Sequence, residues 1–273
     1  MESALSDPAP RREPIRRHRS LFLSDLHLGA IGARADLVLR FLEQNRADTY
    51  VLVGDILDAG VPFSLGRATA CDGVIAHLRR RQVEGAKLIY LIGNHDPAPA
   101  DTPLRRRLPV DPVEEITHVA ADSRRYLVVH GDKQDRAFVR SHLLTRIGTY
   151  IESLARLLCA AAAPGTGGRG PAKDGRLDSL FAAVNVVLHL GRGHERRLVE
   201  LARQRKADGV ICGHYHMAGL HNRYGLVYAN CGDWVTSITC LSEDYSGHLH
   251  LVDGRAEQIA ASGLRPETQV VHA

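Results

Sequence analysis

Five short stretches of the chain carry side chains able to handle a metal ion, a water or a phosphate. They are Asp25-Leu26-His27, Gly54-Asp55-Ile56-Leu57-Asp58, Gly93-Asn94-His95-Asp96, His130-Gly131-Asp132 and Gly213-His214-Tyr215-His216. Each follows an apolar run and brings a Gly or Ser with it. The donors are carboxylate and amide oxygens and imidazole nitrogens, with no Cys among them. That mixture suits Mn²⁺, Fe²⁺ or Zn²⁺. Asp25, His27, Asp55, Asn94, His130, His214 and His216 exceed what one tetrahedral ion takes. They suffice for two ions if one carboxylate is shared. Taken alone, a D-x-H or H-x-H pair is usually structural, Asp58 fits a helix N-cap, and Asn94 fits a turn. Five such pieces in order, each after an expected strand, favour the metal reading. The chain shows no G-x-S-x-G and no reactive-Cys pattern, which argues against serine or cysteine hydrolase chemistry.

The elements that must position these groups are legible as alternating strands and helices. Residues 20–24, 49–53 and 87–92 read as buried strands, with helices expected over 33–45 and 67–82 between them. Residues 124–129 and 209–212 read as further strands. In α/β sheets ligands gather at the strand C-terminal edge, where all five stretches fall. Residues 97–118 read as irregular. Residues 226–230, 235–241 and 247–252 read as a meander forming a second sheet.

The expected organisation is a basic, disordered tail over 1–19 and a core over 20–133 and 207–262. A helical insertion or lid covers 134–206, and a C-terminal tail covers 263–273. Two helical stretches, 134–162 and about 177–205, flank a Gly-rich segment at 165–170. That segment follows no strand and lacks a G-K-[S/T] ending, so it reads as a connector and not a phosphate loop.

The 273 residues suit one large domain with an insertion, and 44% apolar content allows a substantial core. A net charge of +4 does not demand nucleic acid, and no stacking aromatics accompany the Arg clusters. Only four of the 35 basic residues are Lys. Arg suits bidentate phosphate binding, and Arg136, Arg140, Arg192 and Arg196 are the candidates on the helical stretches, with a solvated face as the alternative. Five Cys without a C-x-x-C pair read as free thiols in a reducing compartment. The N-terminus has no apolar signal core, and no apolar run reaches the roughly 18 residues of a membrane span. A cytoplasmic protein is expected, with peripheral membrane contact open.

The motif order D-x-H, GD-x-x-D, GNHD, H-G-D and G-H-x-H resembles that of the calcineurin-like metallophosphoesterases, over about residues 20–252. The resemblance implies a four-layer α/β sandwich: two mixed β-sheets flanked by helices. It implies that Asp25, His27, Asp55 and His216 hold one divalent ion, Mn²⁺ above all. Asp55, Asn94, His130 and His214 would hold a second, with Asp55 bridging. His95 would steady the phosphate or leaving oxygen, oriented by Asp58. Two ions about 3.5–4 Å apart activate a water for in-line attack and offset phosphoryl charge.

The segments Cys231-Gly232-Asp233-Trp234-Val235 and His130-Gly131-Asp132-Lys133-Gln134-Asp135 are narrower cues. With the helical insertion they resemble the UDP-2,3-diacylglucosamine pyrophosphatase branch. The implied substrate is a nucleotide-linked glycolipid, cleaved to UMP and 2,3-diacylglucosamine 1-phosphate; another phosphomonoester or phosphodiester is the alternative. Two features depart from the better-known enzymes of that branch: His95 stands where they carry Arg, and Pro97-Ala98-Pro99-Ala100-Asp101 replaces an acidic and aromatic run.

Overall fold

The computed structural model describes residues 15–30, 32–58, 68–97, 108–134 and 192–255. The elements run β1 (Arg16–Leu23), α1 (Ala35–Gln44), β2 (Asn45–Val53), α2 (Ala68–Val83), β3 (Lys87–Leu91), β4 (Pro112–Val113), β5 (Glu115–Val119), β6 (Arg125–Val129), a 3₁₀ turn (Asp132–Gln134), α3 (Arg192–Gln204), β7 (Gly209–Cys212), β8 (Gly219–His221), β9 (Val227–Asn230), β10 (Thr239–Glu243) and β11 (Leu249–Asp253). One sheet has the order β11-β10-β1-β2-β3-β4, the other β5-β6-β7-β9-β8. β1, β2, β3 and β4 are mutually parallel, and so are β6, β7 and β9. The architecture is mixed α/β, two mixed sheets flanked by helices, as expected.

Strand alternation builds the layers. In β1, Leu21 and Leu23 face the helices while Phe22 faces the other sheet; in β2, Tyr50 and Leu52 contrast with Val51 and Val53 in the same way. Leu37, Val38, Phe41 and Leu42 give α1 a helical apolar face that closes the outer layer. β6 repeats the logic on the second sheet. Tyr126 and Val128 join the inter-sheet core, and Leu127 and Val129 pack on Leu198, Val199 and Ala202 of α3. These central strands are apolar on both faces because both are covered.

The structure departs from the sequence reading in several places. β1 begins at Arg16, so residues 16–19 are strand and not tail; Arg16 pairs with Asn45 and His18 with Ala47. Charge masked this strand, since Arg19 spends its guanidinium on buried Glu243. The residues expected to form one meander divide between the sheets. Of them, β9 enters the second sheet, beside a β8 that was not foreseen, whereas β10 pairs antiparallel with β1 and carries β11 beside it. The stretch read as irregular holds β4 and β5. Residues 235–238 precede β10 and lie outside it. Most of the expected insertion, and the 263–273 tail, lie outside the described residues; the part within, α3, is the covering layer of the second sheet. Among the described residues no helix is long and apolar enough to cross a membrane.

Candidate metal centre

The five motif stretches follow β1, β2, β3, β6 and β7, and parallel pairing within each sheet brings their ends to one edge. The first two loops are zipped together by backbone bonds from Asp25 N–H to Gly54 O (3.1 Å), His27 N–H to Asp55 O (3.0 Å) and Leu28 N–H to Ile56 O (2.9 Å). The loop backbone is strained where chemistry is expected. Asp25, His27, Asp55, His214 and His216 all have φ between 44° and 72°. Such left-handed geometry costs a residue with a Cβ roughly 1–2 kcal/mol, so five together at one edge mark a site held by its surroundings.

The side chains form three groups of ligand atoms, each within 4.8 Å: Asp25, His27 and His216; Asp55, His130 and His214; and His27, Asp58 and His95. His216 Nε2 lies 3.1 Å from Asp25 Oδ1, and His130 Nε2 lies 3.3 Å from Asp55 Oδ2. His130 donates Nδ1–H to Val53 O at 2.9 Å, which sets its tautomer and turns Nε2 to the cluster. Asp55 Oδ1 accepts the His95 N–H at 2.7 Å, and Asp25 Oδ2 accepts the His214 N–H at 3.0 Å. Each buried carboxylate thus keeps one oxygen on the backbone and turns the other to an imidazole.

Asp25 and Asp55 are buried. Burial works against their ionisation, but the neighbouring histidines prevail: His216 holds Asp25 down to about 2, and His130 holds Asp55 well below the carboxylate range. Reciprocally, burial opposes the His130 charge, yet Asp55 lifts it to about 10; His216 is lifted to about 9 against burial by Asp25 and Asp233. His214 goes the other way. Burial and the His130 charge push it down to about 3. Imidazolium thereby supplies positive charge beside both carboxylates.

The residues fit divalent ions. Asp25 Oδ1, both ring nitrogens of His27, Asn94 Oδ1 and His130 Nε2 are buried without a hydrogen-bond partner among the described residues. Buried polar atoms are normally satisfied; five of the exceptions among the described residues belong to expected ligands, beside others such as His77 Nε2 and Trp234 Nε1. Close approach also needs missing side chains. A Cβ on Gly213 would fall into Ser24 Oγ, and one on Gly54 into the His130 ring.

The expected pairing of Asp58 with His95 is present at 3.7 Å, Oδ2 to Nδ1, and the same oxygen lies 3.5 Å from His27 Nδ1. Burial opposes the His95 charge, but Asp58 and then Asp55 raise its pKa. Of the four candidate phosphate residues, Arg196 alone has a described side chain. Arg136 and Arg140, and the Arg192 side chain, lie outside the described residues. Arg196 is exposed and sits over the Tyr224 ring at 5.8 Å, in a groove of about 490 Å³ shared with Arg203 and Glu200.

Two residues to which the sequence reading gave no role stand out. Asp96 accepts backbone N–H groups from both the Asp55 and the Gly93 loops; its place beside His95 was visible, its partners were not. His194 is buried next to Tyr215 and His214, and nothing local in the sequence flags it. Asp233, read as a branch cue, caps its own loop by accepting from Val235 N–H at 2.7 Å and lies 3.8 Å from His216 Nδ1.

Three solved structures are similar to the chain at low identity. A phosphoesterase from E. coli, YfcE, is 15% identical, with 86% of this chain and 98% of that one covered and a TM-score of 0.41. An archaeal phosphodiesterase is 13% identical, with 85% and 98% covered and a TM-score of 0.40. A single mutant of Vps29 from Entamoeba histolytica is 13% identical, with 86% and 98% covered and a TM-score of 0.40. No curated protein sequence matches the chain. The family model for calcineurin-like phosphoesterases matches residues 18–218, which run from within β1 to just past His216. The chain is therefore a member of the calcineurin-like phosphoesterase family.

Proposed function

We propose that the protein is a hydrolase of phosphoric esters or anhydrides that works with two divalent ions. The observation that carries this is the convergence at one sheet edge of buried ligand atoms lacking hydrogen-bond partners among the described residues: Asp25 Oδ1, both nitrogens of His27, Asn94 Oδ1 and His130 Nε2. Asp25, His27, Asp55 and His216 would hold one ion and Asp55, Asn94, His130 and His214 the other, with Mn²⁺ the first choice. When bound, such ions supply an activated water and Lewis acidity at the phosphoryl oxygens. The protein's own contribution is positioning and proton handling. Asp55 and Asp25 stay ionised, and His130 is locked in one tautomer by Val53 O. His95, with Nδ1 toward Asp58, is the group to give a proton to the leaving oxygen through Nε2.

For the substrate we infer UDP-2,3-diacylglucosamine, cleaved at its pyrophosphate to UMP and 2,3-diacylglucosamine 1-phosphate. That reading is supported by the sequence of the 130–135 and 231–235 segments. Mass spectrometry after incubating the Mn²⁺-loaded protein with this lipid, with Asp55→Ala as control, tests both levels. UMP and the lipid monophosphate, absent with Asp55→Ala, are expected. An intact lipid alongside hydrolysis of an aryl phosphodiester overturns the substrate and leaves the hydrolase. Loss of neither activity in Asp55→Ala overturns the two-ion reading.

A further inference from the structure

α3 is the one described helix on the second sheet, and its first turns do more than cover it. Leu198, Val199 and Ala202 anchor it in the core. Upstream, the residues that face inward change character. His194 is buried, with its ring centroid 4.1 Å from Tyr215 at an interplanar angle of 68°. Tyr215 in turn lies edge-on to His214 at 4.8 Å, and His214 to His130 at 5.2 Å. On the other side, His194 Nε2 comes within 3.5 Å of the position a Cβ would take on Gly131. The His194 ring therefore packs at van der Waals distance against this segment. One helical turn on, Arg197 donates Nε–H to Gln134 O at 2.7 Å. The two residues are three apart and so share a face. They grip the 131–134 segment after β6 and the 214–215 segment after β7.

We propose that His194 is a positioning residue for the second ion site. Wedged between Gly131 and Tyr215, it fixes the separation of the loops that bear His130 and His214, with Arg197 holding the far end of the first loop. The first site (Asp25, His27 and His216) depends on it less, because of its three members only His216 adjoins the gripped segment, while Asp25 and His27 come from a loop zipped to Asp55 and Ile56. This rests on the two-ion reading above. It goes further in assigning one helix to one of the two ions.

Calorimetric titration of the metal-free full chain with Mn²⁺ alone is the test, since it needs no substrate. In the wild-type chain two binding events are expected, and Asp25→Ala identifies the first site by removing it. His194→Ala should weaken the remaining event tenfold or more, the range seen when outer supports of a metal ligand are lost. His194→Phe, which restores a ring against Tyr215, should recover most of that loss, while His194→Leu should not. Should His194→Ala fail to fold, the Phe and Leu pair decides the question alone. Equal weakening of both events, or recovery by Leu as good as by Phe, overturns the proposal and makes His194 ordinary packing. A wild-type chain binding fewer than two ions overturns the two-ion reading itself, an outcome no His194 variant is needed to see.

Discussion

The Asp96 carboxylate accepts the backbone N–H of Asp55 at 2.8 Å, and with its two oxygens also takes those of Ile56, Leu57 and Gly93 at 2.8 to 2.9 Å. One buried side chain thus ties the loop that offers the shared carboxylate to the loop that offers Asn94. Burial and the nearby Asp55 charge push Asp96 up to about 6 even so. Its job is geometric: four N–H groups at a sharp turn would otherwise point at nothing. Asp96→Asn leaves one acceptor oxygen for four donors and turns an NH₂ group on some of them. With hydrogen bonds to charged groups worth roughly 1.5–3 kcal/mol each, a loss of about 3 kcal/mol or more is expected. Urea unfolding of the metal-free protein checks it; an unchanged midpoint would show that the loops hold themselves.

The pH dependence of the metal-free protein should carry the imprint of the His130–Asp55 pair. His130 and His216 are raised in the folded state to about 10 and 9 from 6.5. Their contribution is therefore complete below pH 6.5 and is lost as pH rises through 9 to 10. The His216 side chain is one-third exposed, so water screens its share and His130 carries the greater part. Melting temperature in chelator should fall across pH 7 to 10, and Mn²⁺ should flatten the fall, because the ions take the place of the protons. A chelated protein with a level profile over that range would contradict the electrostatics described.

Gly213 tests the packing of the site. Its Cβ position is occupied by Ser24 Oγ, and Ser24 also donates to Val53 O at 2.8 Å. Gly213→Ala must displace Ser24 and, with it, Asp25. Overpacking of this kind costs about 1–3 kcal/mol, and the first metal event in calorimetry should disappear. Retention of both events with wild-type stability would mean that the loop has slack the close contacts deny.

Backbone strain gives a prediction with an unusual sign. His216 sits at φ 57° and His214 at φ 72°. Both His216→Gly and His216→Ala remove a ligand and should abolish one binding event. The Gly variant should nonetheless be the more stable by about 1 kcal/mol, since only the Ala Cβ pays for the left-handed conformation. Chelated thermal melts compare the two directly, and an Ala variant as stable as Gly would contradict the strain.

His95 should separate chemistry from metal binding. It lies against Asp58 and outside the proposed ligand set, so His95→Gln should keep two Mn²⁺ binding events. Hydrolysis of an alkyl phosphodiester, whose alkoxide leaving group needs a proton, should fall about 10²–10⁴-fold, the usual contribution of a positioned acid or base. The loss should shrink for esters whose leaving group needs no proton. A uniform loss across leaving groups would assign His95 to phosphate binding alone.

Much was settled by the sequence on its own. The five motif stretches, each behind an apolar run, are local features: strand, Gly or Ser, then donor. That is enough to gather Asp25, His27, Asp55, Asn94, His130, His214 and His216 as candidate ligands, while the expectation that Asp58 orients His95 came only with the family resemblance. Two-residue alternation in strands such as 21–23 also dictated a layered core, because apolar residues on both faces demand cover on both. What the sequence withheld is non-local. Residues 16–19 read as a charged tail until Glu243, more than 200 residues away, gives Arg19 a partner inside the fold. Nothing in 239–243 says whether that strand extends the second sheet or crosses to β1, because edge pairing is chosen by which neighbour is free and not by a residue pattern. Asp96 and His194 belong to the same class. Each is an ordinary polar residue in its own segment, and each gains meaning from backbone or rings that the chain brings to it only when the two sheets close.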